Sequence, residues 1–504
     1  MAKENFNWAS YSYDDRERRW RKMARKIIFG AAILVFASGI AYGSFFIYKF
    51  WTLEKKINPA EADKVTFFQA ARSLISPPDI NLKGMEKDRI NILLLGIAGK
   101  GKPGQNLTDT IMIASINPKS KQVALFSIPR DLYVKVPGLN LQSKINSVYQ
   151  SGIGTYKENG KAAELVSETV KDITSLDMDY YVILNFDGFQ KIIDSVGGIN
   201  IMNERDIYDA SYPGPNYSYE TFSLAKGFHQ LDGATALKYV RERHDDPEGD
   251  FGRAKRQQQV LQSTKNKIFS TETMFNVLPL NALFNALGET IQTNIEADEI
   301  AGFMELSKKL DTQNINNFVL DAWNKESLLK VSHVLFGNIS AFVLIPRVGN
   351  YSEIKEVAEN IFDLNKIKRR HEAIAAEDAK IAIINRSGDR VLTEKIKKLL
   401  ADNLDYKNIV VLNDSGNIPA DKSVVHDLTN GIKPFTLDEL IEKLPASPSY
   451  DEPPFLKNLF TEKKTDMVIS LGKDLADIYN MEEGTLEDLN RARDDQESLN
   501  LQNK

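Results

Sequence analysis

From Ile27 to Tyr48 the chain reads IIFGAAILVFASGIAYGSFFIY, without a single charged residue. A helix over this run rises roughly 33 Å, enough to cross the hydrocarbon core of a bilayer. No other feature constrains the fold as strongly, because a membrane span forces everything after it onto one side. Seven basic residues (Arg16, Arg18, Arg19, Arg21, Lys22, Arg25 and Lys26) precede the run, and its far flank is less basic. The positive-inside rule then predicts a cytoplasmic N-terminus and an extracytoplasmic body after Lys49. Tyr42, Tyr48 and Trp51 suit the outer interface. The run is too long for the core of a cleaved signal peptide, and the KFWTLEKK after it offers no small-residue cleavage site. The expectation is a single-pass protein of the cell membrane, with the lipid bilayer as a partner.

At 504 residues the chain has length for more than one domain and a large core. It has no cysteine, which excludes disulfides, thiolate metal sites and cysteine nucleophiles. Five histidines argue against a multi-histidine metal centre, and a net charge of −5 argues against nucleic acid as a partner.

Residues 49–87 read as a stalk with a short helix from Ala60 to Leu74. Ile90–Gly96 (INILLLG) is an uninterrupted apolar run, as in a strand buried on both faces. Ile111–Ile116 and Val123–Ile128 read as strands of a hairpin, joined by the turn Asn117-Pro118-Lys119-Ser120. A helix is predicted over Ala162–Thr174, a strand over Tyr180–Phe186, a helix over Gly188–Ser195 and a strand over Ile199–Met202. Ser263 to Leu310 reads as mostly helical, and Ala341–Arg347 as the last strand of this unit. Strands alternating with helices, together with a hairpin, predict a three-layer α/β/α fold with a mixed sheet. Asn365–Asp378 is a charged linker or connecting helix. A smaller α/β unit follows, with strands in IAIINRSG, NIVVLND, SVVHDL and DMVISLG and a helix over Leu392–Asn403. The expected organisation is a basic N-terminus (1–26), a transmembrane helix (27–48), a stalk (49–87), a main domain (88–362), a linker (363–379), a small C-terminal domain (380–476) and an acidic, disordered tail (477–504).

The densest chemistry lies between Ala234 and Gln257, ATALKYVRERHDDPEGDFGRAKRQ. Leu237, Tyr239, Arg241 and Arg243 fall at period two, so a strand would place both arginines on one face. HDDPEGD is a loop, punctuated by Pro247 and Gly249. Asp250 is placed to begin a helix in which Arg253, Arg256 and Gln257 share a face at i, i+3 and i+4. Guanidinium groups converging beside a carboxylate suit a phosphate or pyrophosphate. Taken alone, the stretch also reads as an ordinary solvated charge run. Asp109, in Leu107-Thr108-Asp109-Thr110, is a strand-end carboxylate, either a turn cap or a ligand for a hard cation. Ser127-Ile128-Pro129-Arg130-Asp131 closes the third strand, where Pro129 stops it and fixes where Arg130 points. Lys144 and Asn146 lie in a polar stretch able to reach the same place.

Three other chemistries are weaker. Gly96 to Lys102 matches the first seven places of a P-loop, but Pro103 stands where the magnesium-ligating Ser/Thr belongs; this reads as a flexible, mildly basic loop beside the site. His229 or His244 lacks the G-x-S-x-G elbow that a serine triad of that kind needs. A glycosidase carboxylate pair has no use for so many cations.

In their order, NILLLG (91–96), LTDTIMI (107–113), SIPRD (127–131), KIN (144–146), NFDGFQKIIDSVGGI (185–199), LDGATALKYVRER (231–243) and DFGRAKRQQ (250–258) resemble the LytR–CpsA–Psr family of bacterial cell-wall glycopolymer ligases. The unit over 380–476 looks like the C-terminal domain that many members carry. The resemblance implies transfer of a glycopolymer, such as teichoic acid or capsule, from a polyprenyl-pyrophosphate carrier to peptidoglycan through a phosphodiester bond, with Mg²⁺. By matching position, Arg130, Arg241, Arg243 and Arg253 would grip the pyrophosphate, with Gln257 adding a neutral hydrogen bond. Asp109 would ligate magnesium, while Asp131, Lys144, Asn146 and Arg256 would stand behind these groups. Asp250, with Arg241 and Arg243 at the reacting centre, would be either the general base or a salt-bridge partner that orients an arginine. Two departures bear on the metal: Ile97-Ala98 lacks the aspartate many members carry after LLLG, and Leu107 replaces an arginine. A non-catalytic scaffold and a pyrophosphate hydrolase are the alternative functions.

Overall fold

A computed structural model describes residues 82–214, 218–242, 246, 250–268, 270, 286, 290–311, 314–322, 327–336, 339–412, 419–451 and 465–476, together with Phe45, Tyr48, Lys49 and Thr52. The four isolated residues are helical. The run at 27–48 otherwise lies outside this set, as do the acidic tail and the stalk up to residue 81 apart from Lys49 and Thr52, including the expected helix from Ala60 to Leu74. Among the described residues no helix is long and apolar enough to cross a membrane.

The fold is mixed α/β, around a six-stranded mixed sheet. β1 (Ile90–Ile97), β2 (Thr108–Asn117) and β3 (Gln122–Ser127) form an antiparallel meander. Its turn is held by Asn117, whose Oδ1 accepts from the amides of Lys119 and Ser120 at 3.0 and 2.9 Å. The small hairpin β4 (Tyr133–Val136) and β5 (Leu141–Lys144) follows, then helices α1 (Val148–Tyr156) and α2 (Asn159–Thr174). β6 (Tyr180–Asn185) returns parallel to β1 and leads directly into α3 (Phe186–Ser195). Beyond it come the ribbon strands β7 (Ile199–Asn203), β8 (Ile207–Pro213), β9 (Tyr219–Leu224) and β10 (Gly227–Leu231), paired β7 with β10 and β8 with β9. Two helices follow, α4 (Gly233–Arg241) and α5 (Asp250–Ile268), then β11 (Ile291–Thr293), α6 (Ala297–Lys309) and β12 (Asn316–Val319). The finished order is β11-β6-β1-β2-β3-β12.

Alternation along β1 divides the two faces of this sheet. Leu93, Leu95 and Ile97 point into the main core with Ile111, Ile113, Phe126 and Ile183, beneath α1, α2 and α7 (Ser352–Glu359). On the opposite face one end is filled: Ile90, Ile92 and Ile116 pack on Leu306 and Phe303 of α6. The other end lies under α3, α4 and α5 and is not filled.

β13 (Leu329–Phe336) and β14 (Ile339–Pro346) form a hairpin beside the sheet. Ala341–Arg347 thus falls on β14, the last strand described in this unit, though in the hairpin; the edge of the six-stranded sheet is β12, a four-residue segment, Asn-Asn-Phe-Val, too short and polar to announce itself. The helical reading of Ser263 to Leu310 is likewise interrupted by β11. After α8 (Asn365–Glu377), β15 (Lys380–Asn385), α9 (Leu392–Lys398), β16 (Asn408–Leu412), β17 (Val424–Asp427), α10 (Pro434–Lys443), β18 (Ser447–Ser449) and β19 (Met467–Leu471) build a second sheet, ordered β16-β15-β19-β17-β18, with its own core. Lys443 of α10, its side chain 2% exposed, reaches Glu356 of α7 at 3.2 Å, and Arg370 of α8 bridges Glu356 and Glu442.

The expected strand through Leu237, Tyr239 and Arg241 is helix α4 instead. Asp232 caps it, its Oδ1 accepting the Thr235 amide at 2.7 Å. Ala236, Leu237 and Val240 are the buried face at helical spacing, so the period-two match was coincidental. Gly233 lets α4 approach α3, since a Cβ there would meet the backbone of Gln190. Gly233→Ala should therefore cost about 1–3 kcal/mol in urea unfolding. An unchanged midpoint would show that the α3–α4 contact is slack.

Candidate active site

The unfilled end is a cavity of about 400 Å³, within the usual range for a small-ligand site. From the sheet it is lined by Leu94, Gly96, Asp109, Thr110, Met112, Val182 and Leu184, and from the helices by Phe186, Arg241, Arg253, Gln257 and an apolar remainder. The lining is polarised. Along one face of α5 it runs Arg253, Gln257, Val260, Leu261, Thr264, Ile268, charged at the helix start and apolar at its end. The fifteen helical steps from Arg253 to Ile268 make that face about 22 Å long. The sheet repeats the gradient: Gly96 pairs with Thr110 next to Asp109, whereas Leu94 pairs with Met112 and Val182 further in. The charged end thus lies at the carboxyl ends of β1 and β6, where parallel strands commonly hold ligands.

At that end Arg130 Nη1 donates to Asp109 Oδ1 at 2.7 Å. Arg130 Nε lies 3.5 Å from Asp131, whose other oxygen takes the Lys144 ammonium at 2.6 Å. The result is a row of alternating charges that holds the Arg130 guanidinium from behind. Asn146 contributes through its backbone, its amide donating to the Arg130 carbonyl and its carbonyl accepting from Thr108 Oγ1. Arg253, 8% exposed, reaches the Asp109 carbonyl at 3.4 Å. Gln257 lines the cavity and donates to the Val240 carbonyl at 3.4 Å.

Arg241 is held differently. Its guanidinium lies 4.6 Å from the Phe186 ring centroid and 5.6 Å from that of Tyr212, a cation between two π faces. Among the described residues it meets no carboxylate. Tyr212 gets there by a bulge: Asp209 pairs with Phe222 and Tyr212 with Glu220, three residues of β8 against two of β9. The extra residue reverses the parity of the strand, so Tyr212 joins Ile207 and Asp209 on the buried side. Burial pushes its phenol up to about 12, with Arg241 opposing, so it stays neutral at physiological pH. Phe186 and Tyr212 carry no signal as site residues in the sequence, since one reads as the end of a strand and the other depends on the bulge.

Arg256 does not face the cavity, although it shares the i, i+3, i+4 set with Arg253 and Gln257. A helix turns about 100° per residue, so i+3 and i+4 straddle the i position, and Arg256 falls on the α4 side. It donates to the Tyr239 carbonyl at 2.9 Å and to the Glu242 carbonyl, and pairs with the Glu242 carboxylate at 3.1 Å and with Asp246. Arg205 also reaches Asp246, at 3.2 Å. Gly252 leaves room for this carboxylate, because a Cβ there would collide with it. Arg243 lies outside the described residues. Asp250 is the first residue of α5, with its side chain outside the description.

The family model described as LytR_cpsA_psr matches residues 51–341. The chain belongs to this family. Two of its LytR–CpsA–Psr relatives are named polyisoprenyl-teichoic acid–peptidoglycan teichoic acid transferase TagU. One, from Enterococcus faecalis, is 29% identical over 276 residues, covering 54% of this chain and 80% of the relative. The other, from Oceanobacillus iheyensis, is 33% identical over 291 residues, covering 56% and 82%. The crystal structure of Bacillus subtilis TagV is 25% identical with a TM-score of 0.42, covering 55% of this chain and 97% of that one.

The two arginines of this helix pair should separate stability from ligand handling. Arg256→Met removes the buried cation shared by the Glu242 and Asp246 carboxylates, leaving Arg205 at 4.0 and 3.2 Å from them, and should cost about 3–5 kcal/mol in urea unfolding. Arg241→Met should stay within about 1 kcal/mol of the parent. Equal losses would show that Arg241 is a structural cation.

Proposed function

We propose that this chain is a membrane-anchored phosphotransferase that moves a glycopolymer from a polyprenyl-diphosphate carrier to peptidoglycan, forming a phosphodiester. Arg241 carries this reading: a guanidinium clamped by two rings at the head of an apolar cavity, with no carboxylate partner among the described residues. A cation kept in such surroundings is matched by an anion with an apolar tail. A prenyl diphosphate has both parts, and the charged-to-apolar gradient along α5 has the same order.

In the reaction the acceptor hydroxyl attacks the phosphorus next to the polymer. The bond to the bridging oxygen breaks, and prenyl monophosphate leaves with the bonding electrons. Arg241 and Arg253, with Arg130 held by Asp131 and Lys144, bind the diphosphate and stabilise charge as it shifts to the leaving oxygen. Gln257 adds a neutral donor. Arg243, next in chain beyond α4, and Asp250, at the start of α5, complete the proposed set. Asp250 takes the hydroxyl proton or orients an arginine.

Magnesium fits this donor set in one mode. Among the described residues no group of three or more acidic or histidine side chains gathers to hold a metal. Mg²⁺ is commonly held by one or two carboxylates together with substrate phosphates. Asp109, whose Oδ1 accepts from Arg130, would be that carboxylate, and the ion would supply charge neutralisation on the diphosphate. The bilayer would bring the lipid carrier, and residues 27–48 would keep the site beside it.

The full chain in detergent, given Mg²⁺, a polyprenyl-diphosphate oligosaccharide and peptidoglycan fragments, should form the phosphodiester product. Arg241→Met and Asp109→Asn should each lower the rate by about 10²–10³. Full turnover in both variants would remove these residues from the site. Phosphorylated saccharide released without an acceptor would indicate hydrolysis, and binding without turnover a scaffold.

A further inference from the structure

No carboxylate follows β1 in this chain. Ile97 and Ala98 are buried at 7% and 4% exposure, and the next residues form a glycine-rich turn with a definite shape. The Gly99 amide donates to the Gln105 carbonyl at 3.0 Å, Lys102 to that of Gly99 at 3.3 Å and Leu107 to that of Gly104 at 2.8 Å. Gly99 and Gly101 take φ of 93° and 81°, a region that disfavours side chains and lets the chain turn back on itself. A Cβ at Gly99 would stand 3.0 Å from Asn185, so the turn is seated on the residue that caps α3.

The turn carries Lys102 to the edge of the charged end. Its side chain is two-thirds buried, and its ammonium lies 2.6 Å from Asp187 and 5.9 Å from the Phe186 ring centroid. Arg241 stands 4.6 Å from the same centroid. Two cations at these distances from one ring centroid are no more than about 10.5 Å apart. We propose that Lys102 is a donor-binding residue, which leaves Asp187 and contacts a diphosphate oxygen when the lipid-linked substrate enters. This rests on the reading of the cavity as a lipid-diphosphate site.

The exchange is favourable in both directions of charge. The Asp187 side chain is 63% exposed, and an ion pair with so exposed a partner contributes little. A diphosphate carries more charge than one carboxylate and sits in less water. Asp187 lies in the first turn of α3, where the positive end of the helix stabilises it after the lysine departs. The pair holds Lys102 close to the site in the empty protein without committing it there.

A plain structural latch between the turn and α3 makes a different prediction, because a latch fails whichever half is removed. Binding of geranylgeranyl diphosphate to the full chain in metal-free buffer separates the two. Lys102→Met should raise the Kd about tenfold, the scale of one charge-assisted hydrogen bond. Asp187→Asn should leave the Kd unchanged or lower it, and Lys102→Arg should restore binding to within about threefold of the parent. Equal weakening by Lys102→Met and Asp187→Asn would make the pair a latch and overturn the proposal, as would an unchanged Kd in Lys102→Met. If the parent protein fails to bind the prenyl diphosphate, the lipid-diphosphate reading itself falls and takes the inference with it.

Discussion

Two buried carboxylates, Glu242 and Asp246, converge on the guanidinium of Arg256, and that cluster ties the end of α4 to the first turns of α5. α5 reaches the sheet through Arg253 to the Asp109 carbonyl at 3.4 Å and Gln258 to Ser127 Oγ at 2.9 Å, on either side of the unfilled space. The mutual position of the two helices depends on the ion cluster, on Gly252 admitting Asp246 and on the Gln259 contact to Tyr239 at 2.8 Å. Arg241 ends α4 and Arg253 lies in the first turn of α5, so the clamp that joins the helices also brings the two cations to one end of one cavity. Buried ion pairs are poor sources of net stability, but breaking one is costly, which makes them effective at fixing a single arrangement.

The cavity follows from how the open sheet face is divided. α6 fills one end with Phe303 and Leu306, whereas α3, α4 and α5 stand over the other and leave Leu94, Val182 and Leu184 only partly covered. An apolar hollow next to guanidinium groups lowers the local dielectric, and charge interactions inside it strengthen accordingly. The rings of Phe186 and Tyr212 hold Arg241 there without neutralising it. Arg130, in contrast, is already matched by Asp109 and Asp131, so the two arginines differ in readiness to accept an anion.

Much of this was legible in the chain. The apolar runs at β1 and β6 and the hairpin at Asn117 marked the mixed sheet. The basic residues in SIPRD and DFGRAKRQ marked Arg130 and Arg253, both of which line the cavity. Errors arose where local pattern is degenerate. Leu237, Tyr239 and Arg241 satisfy period two, yet Ala236, Leu237 and Val240 satisfy the helical period, and the Asp232 cap decided between them. Arg256 looked like a site residue because i+3 and i+4 both neighbour i, and only the position of α4 shows which side each takes. Phe186 and Tyr212 were invisible because their roles depend on tertiary placement, and for Tyr212 on one extra residue in β8. In the sequence Lys102 reads as part of a flexible loop, since the amide bonds that shape the turn leave no trace in composition.

The central claim is that one cavity takes a diphosphate at the α5 start and an isoprenoid chain toward its end. A crystal structure of the protein with geranylgeranyl diphosphate tests it most directly. Phosphate oxygens should lie within hydrogen-bond distance of Arg241 and Arg253, with the chain running past Val260 and Thr264 toward Ile268. Phosphates bound at the Ile268 end, or a ligand lying outside the cavity, would contradict it.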